Sequence, residues 1–263
     1  MQDLMVTMIQ SDLDWEDASK NRSKFDAKID TITQDTHLII LPEMFSTGFT
    51  MEAETLAESM DGPTIQWMKE KARDKEAYLL GSIIIEEKGA FYNRLLSVGP
   101  EGQFHYYDKA HLFRMAREND VYQKGKSHLT FTVNGWKIRP FVCYDLRFPV
   151  WNRNVQLSFD LAVFIANWPE RRSHHWRTLL AARAIENQCY VAGLNRVGRD
   201  GKDIHYKGDS MVIDPLGNVL LHQRNMESIE NVRLSAHSMK NYRAKFPAWK
   251  DAERFEIIPA NEA

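Results

Sequence analysis

Short apolar runs separated by longer amphipathic stretches constrain this chain most, because the two patterns need different packing partners. Met5–Ile9, Leu38–Leu41, Tyr78–Ile85, Arg94–Val98, Lys137–Cys143, Leu161–Ala166 and Tyr190–Leu194 read as strands. Lys20–Ile32, Thr64–Ala77 and His174–Asn187 read as helices. In the last, Ser173 is the expected N-cap, and Trp176, Leu179, Leu180 and Ala184 follow helical spacing along one face. Ser210–Ile213 and Val219–Leu221 flank Asp214-Pro215-Leu216-Gly217-Asn218, a hairpin with proline and glycine in its turn. Strands interleaved with helices predict a layered α/β fold. Pro140 falls inside one strand, so that strand is either irregular there or presents a side with no ladder partner.

No Pro/Gly/Ser-rich linker interrupts the 263 residues, which predicts a single domain over 1–263. The net charge is -2 and the basic residues are dispersed, so nucleic acid is not an expected partner. No apolar stretch approaches the roughly 18 residues that span a bilayer. The N-terminus is acidic where a signal peptide is basic. Two cysteines, Cys143 and Cys189, make no disulfide framework and suit a reducing compartment. The expectation is a cytoplasmic protein that contacts no membrane.

Three segments carry chemistry. Leu38-Ile39-Ile40-Leu41-Pro42-Glu43 is an apolar run ending in a carboxylate, at the rim where α/β active sites gather; the plainer alternative is an exposed strand end. In Tyr106-Tyr107-Asp108-Lys109-Ala110-His111-Leu112-Phe113 a lysine sits among aromatic and apolar neighbours, either buried beside a carboxylate or snorkelling to the surface. His111, two residues on, would share a strand face with Lys109 and is read as supporting the lysine rather than reacting. In Phe141-Val142-Cys143-Tyr144-Asp145-Leu146-Arg147 a strand delivers a cysteine into a polar turn, as in a nucleophile elbow, unless the thiol is simply core. Cys189 fits the core reading better. There is no Cys-x-x-Cys pair, no His pair at helical spacing and no glycine-rich phosphate loop, so neither metal nor cofactor is expected.

Taken together and in this order, the Glu43, Lys109 and Cys143 segments resemble the nitrilase, or carbon–nitrogen hydrolase, superfamily. The likeness continues through Ala182–Gln188 and Gly208–Gly217 and spans about residues 3–258. Within that superfamily the chain is most similar to the bacterial omega-amidases, through His111-Leu112-Phe113-Arg114-Met115 and Asn167-Trp168-Pro169. The resemblance implies a four-layer α-β-β-α sandwich that forms a homodimer or higher homo-oligomer. It implies hydrolysis of the terminal amide of 2-oxoglutaramate or 2-oxosuccinamate through a cysteine thioester. It also implies Glu118 as a second glutamate, with Gly125 at the family spacing, and Arg147 as the partner of the substrate carboxylate. At 167–173 the chain departs from the eukaryotic members, and Arg171 or Arg172 is the expected substitute for the carboxylate contacts of that loop.

In the expected mechanism Lys109 stabilises a Cys143 thiolate and Glu43 takes the thiol proton. Lys109 and the Tyr144 N–H receive the oxyanion. Phe45, Phe49, Tyr144 and Trp168 are candidate pocket walls, with ordinary aromatic core as the alternative for each. Two rival readings remain: another amidohydrolase of the superfamily, such as an N-carbamoyl amidase, and a non-catalytic interaction protein of the same fold.

Overall fold

The computed structural model describes residues 1–258. In chain order the strands are β1 (Leu4–Gln10), β2 (Leu38–Ile40), β3 (Tyr78–Glu87), β4 (Ala90–Val98), β5 (Phe104–Asp108), β6 (Phe131–Val133), β7 (Trp136–Val142), β8 (Leu161–Ala166), β9 (Tyr190–Asn195), β10 (Val197–Arg199), β11 (His205–Ile213), β12 (Val219–Arg224) and β13 (Ser228–Leu234). The helices are α1 (Ala18–Asp30), α2 (Ala53–Leu56), α3 (Pro63–Asp74), α4 (Glu118–Val121), α5 (Ser173–Asn187) and α6 (Ala236–Lys245).

The strands form two sheets. One runs β13-β1-β2-β3-β4-β5, and the other β10-β11-β9-β8-β7-β6 with β12 beside β11. At the centre of the first, β1 and β2, and β2 and β3, are parallel; in the second, β7 and β8, and β8 and β9, are parallel. Parallel strands are fully covered, and their sequences read as continuous apolar runs. β8, Leu-Ala-Val-Phe-Ile-Ala, is buried at every position.

Three apolar clusters define the layers. Val6, Met8, Leu38, Ile40 and Leu80 of the first sheet meet Ile138, Val142, Val163, Ile165 and Ala192 of the second in a shared middle core. The opposite face of the first sheet packs Ile9, Ile39, Leu41 and Leu79 against Phe25 and Ile29 of α1 and Ile65, Met68 and Ala72 of α3. The opposite face of the second packs Phe141, Ala162 and Phe164 against Trp176, Leu180 and Ala184 of α5. This is the α-β-β-α sandwich. Gly193 on β9 allows the close approach of α5, because a Cβ there would lie 2.4 Å from Leu180 Cδ1.

The expected strands and helices are present, with ends shifted by a few residues. Pro140 pairs with Val163 of β8, whereas β6 reaches only as far as Ile138, so the side without a donor has no strand to serve. Ser173 is not an N-cap. It is the first residue of α5, Arg172 precedes it with φ -122°, and no side chain caps that end. The 3-10 turn Glu170–Arg172 runs straight into the helix and takes the cap's place.

Trp136 tests the middle layer. It is fully buried, its ring lies 5.6 Å from Tyr190, and its Nε1 donates to the Gln2 carbonyl at 2.7 Å. Trp136→Ala is expected to lose about 3–5 kcal/mol of unfolding free energy in urea titration.

Candidate active site

Four chain segments leave their strands at the same end of the sandwich. Glu43 follows β2, Lys109 follows β5, Cys143 follows β7 and Asn167 follows β8. The carboxyl ends of parallel strands are where α/β folds bind ligands. Asn167 joins the two sheets here: its N–H donates to Glu43 Oε2 at 2.8 Å and its Nδ2 to the Glu43 carbonyl at 2.7 Å.

Lys109 is fully buried, and its Nζ lies 2.9 Å from Glu43 Oε1, 2.9 Å from Glu118 Oε1 and 3.0 Å from Glu118 Oε2. The Phe49 ring faces the same ammonium at 5.0 Å. Burial disfavours the charge, but Glu118 and Glu43 outweigh it and hold the lysine above its ordinary pKa. Burial and the nearby Glu43 charge push Glu118 up, against the pull of Lys109 and of the Phe113 N–H, which donates to it at 2.6 Å. Glu118 is thus a buried partner of the lysine, as the family spacing suggested. Gly125 has a steric reason for its place: its N–H donates to the Lys109 carbonyl at 2.9 Å, and a Cβ would lie 2.0 Å from the Asp108 oxygen.

Cys143 opens the 3-10 turn Cys143–Arg147 with φ 44°, a left-handed backbone that non-glycine residues adopt at a cost. That kink is the elbow expected from the sequence. Tyr144 is the second residue of the turn, so its N–H is among those a helical turn leaves without an internal partner. Lys109 does not dominate the electrostatics of the thiol. Burial first, then the Glu43 charge, raise its pKa well above 9.0, and Lys109 opposes them without prevailing. These influences favour the protonated thiol beside the Glu43 carboxylate. Cys189 is fully buried behind α5.

These groups line one pocket, enclosing about 670 Å³ with its open mouth, together with Phe49, Tyr144, Arg147, Trp168 and Arg171. With one exception among the candidate walls, the site residues expected from the sequence border it or, for Glu118, lie directly behind Lys109. Phe45 does not: it is buried on the helix side of the first sheet, 5.5 Å from Phe25. His111 does not share a face with Lys109, since β5 ends at Asp108. Its ring stacks on Phe148 at 3.8 Å and its Nδ1 meets Asp145 Oδ1 at 2.8 Å.

Sequence reasoning missed three contributions. Asn93 on β4 donates to Glu43 Oε1 at 2.9 Å; it lies just outside the expected strand, and a buried amide in an apolar strand was its only signal. Asp145 accepts from Tyr107 Oη, His111 N and Val142 N at 2.7, 2.9 and 3.0 Å, which fixes the cysteine turn to the lysine segment. Asp200, Lys202, Ile204 and Tyr206 close the far wall from the β10–β11 hairpin, which gave no periodic signal.

Residues 5–243 match the carbon–nitrogen hydrolase family model. The chain is 46% identical over 261 residues to omega-amidase YafV of Escherichia coli, covering 98% of this chain and 100% of that one. It is 32% identical to a 2-oxoglutaramate amidase of Bacillus subtilis, over 95% and 97% of the two chains. A carbon–nitrogen hydrolase superfamily protein of Xanthomonas campestris, solved with an arsenic adduct in its active site, superposes with a TM-score of 0.96 at 44% identity, covering 98% and 100%. This chain belongs to the carbon–nitrogen hydrolase family, and it is an amidase-type member of it.

The raised thiol pKa sets a pH dependence. Alkylation of Cys143 by iodoacetamide is expected to keep accelerating as pH rises through 9.0, because the thiolate fraction is still growing there. A rate that levels off near neutral pH would contradict a thiol resting state.

Proposed function

We infer that the protein is an omega-amidase that hydrolyses the terminal amide of 2-oxo dicarboxylic acid monoamides to the diacid and ammonia. One observation carries the reading: a cysteine elbow, a lysine between two glutamates and the Arg147 guanidinium border one small pocket. The names of the relatives agree with it.

In this reading Glu43 accepts the thiol proton as Cys143 Sγ bonds to the amide carbon. Lys109 Nζ and the Tyr144 N–H receive the oxyanion; each such donor is worth about 100- to 1000-fold in rate. Protonated Glu43 gives its proton to the departing nitrogen, the C–N bond breaks and ammonia leaves. Glu43 then takes a proton from water as the hydroxide oxygen adds to the thioester carbon. Collapse of that adduct breaks the C–S bond, and the proton returns to sulfur. Glu118 and Asn93 act as positioning residues that hold Lys109 and Glu43 in register. Arg147 offers parallel N–H donors to the substrate carboxylate, fixing the reach from that carboxylate to Cys143. Phe49, Tyr144 and Trp168 form the walls, with Arg171 at the rim.

The reading takes residues 1–263 as one carbon–nitrogen hydrolase domain, of which 259–263 lie outside the described residues. It also takes the protein as a homodimer. Ile185 on α5 and Leu216 and Val219 at the β11–β12 turn are exposed, and the turn lies against Ile185, so they form one apolar patch. Ile185→Asp is expected to sediment as a monomer, and an unchanged dimer would remove this face from the interface.

An ammonia-release panel separates the substrate readings. 2-Oxoglutaramate is expected to exceed N-carbamoyl amino acids and simple nitriles in kcat/KM. Cys143→Ala should abolish turnover while melting as a folded protein. Turnover retained by Cys143→Ala would remove the thiol from the reaction, and a preference for carbamoyl substrates would favour the N-carbamoyl amidase.

A further inference from the structure

We propose that Arg172 is a second specificity-determining residue, joining Arg147 in a two-guanidinium clamp on the substrate carboxylate remote from the scissile amide. This rests on the omega-amidase reading and adds to it the residue that supplies the second set of donors. Both arginines line the Cys143 pocket. Each lies over an aromatic face, Arg147 over Trp168 at 4.8 Å and Arg172 over Phe113 at 5.4 Å. A guanidinium lying on a ring keeps its in-plane N–H donors free for an anion.

Neither has an anion. Among the described residues Arg147 meets only His175 Nδ1, at 3.1 Å, and no carboxylate pairs with Arg172. The fully buried arginines do meet carboxylates: Arg94 with Asp108, Arg183 with Glu186 and Arg196 with Asp12. Arg139, Arg153 and Arg177, half-buried like Arg147 and Arg172, also lack a carboxylate among the described residues, but they are not part of the pocket lining; Arg139 donates to Thr130 and Arg153 to the Glu186 carbonyl.

The acidic groups of the pocket are already engaged. Glu43 serves Lys109, Asn93 and Asn167. Asp200 accepts from Tyr206 Oη and from the N–H groups of Lys202 and Ile204. Lys202 and Arg171 add further positive charge to the same lining. Burial and the charges of Arg171 and Arg147 pull the Arg172 pKa down, the mark of like charges held together without a counter-ion. A carboxylate entering there relieves that repulsion.

The Arg172 backbone is fixed. Trp168 Nε1 donates to the Arg172 carbonyl at 2.9 Å, and Glu170 of the same turn pairs with His205 and Lys207 of β11. The guanidinium therefore starts from a set position and does not hang from a free loop.

The test compares kcat/KM on 2-oxoglutaramate with kcat/KM on pentanamide, an uncharged amide of similar reach. Arg172→Gln is expected to lower that ratio by about 10- to 100-fold, mostly through KM, the size of a lost hydrogen bond to a charged group. Arg172→Lys should recover only part of it, because a point charge lacks the fork. An unchanged ratio in Arg172→Gln overturns the clamp.

Alkylation of Cys143 gives a second measure that does not depend on the substrate. Wild type should favour N-iodoacetylglycine, whose carboxylate lies at the substrate's reach, over neutral iodoacetamide, and Arg172→Gln should weaken that preference; a wild-type ratio in Arg172→Gln overturns the clamp. If Arg172→Gln does not fold, Arg172→Lys carries both measurements, and wild-type ratios in it overturn the clamp. Wild type that prefers pentanamide would instead sink the substrate reading, leaving the alkylation ratio to decide the clamp by itself.

Discussion

A lysine ammonium buried between two carboxylates governs this structure. Removing such an ion from water costs several kcal/mol, and the pair is retained only when the geometry is good and the remaining hydrogen-bonding groups are satisfied. Lys109 meets that condition with Glu43 and Glu118, and the rest of the site follows from keeping them together. Asn93 and Asn167 hold Glu43 from opposite sheets, and the Phe113 N–H holds Glu118. A charge that stabilises nothing but the fold could have been replaced by apolar side chains at little cost. Its place beside a cysteine makes a catalytic role the better account.

The second constraint is the junction at Asp145. This fully buried carboxylate gathers donors from β5, from the segment after Lys109 and from the end of β7. It forces the backbone that carries the thiol and the backbone that carries the ammonium to share one anchor. The left-handed φ at Cys143 is sustained by that network, which resists relaxation of the turn. The same arrangement raises the pKa of the sulfur. Burial acts first, and the Glu43 carboxylate is near enough to add to the shift.

Much of this was legible in the sequence, for identifiable reasons. β2 and β8 are continuous apolar runs because both faces are buried, β7 becomes one only over Pro140–Val142, and each leads into a residue of the site. The α5 face was readable because Trp176, Leu180 and Ala184 recur at helical spacing. The β10–β11 wall was not, because Asp200, Lys202 and Ile204 owe their positions to a hairpin with no periodic signal. Asn93 and Asp145 act through hydrogen bonds to residues 50 and 38 positions away, which no local pattern encodes. Phe45 was misplaced because an aromatic near a catalytic segment looks the same in sequence whether it faces the pocket or the helix layer. Electrostatics was the least legible part. The sign of the Cys143 shift depends on burial and on Glu43 and Lys109 together, and only coordinates supply those distances.

The central claim is that a thiol set among Glu43, Lys109 and Glu118 forms a covalent acyl bond with the substrate. Acid-quenched enzyme under turnover with 2-oxoglutaramate, digested and weighed by mass spectrometry, tests it directly. The account predicts that the peptide bearing Cys143 gains the mass of a 2-oxoglutaryl group while the Cys189 peptide does not. Full turnover with the acyl group on another residue, or with an unmodified Cys143 at every quench time under burst conditions, would contradict it.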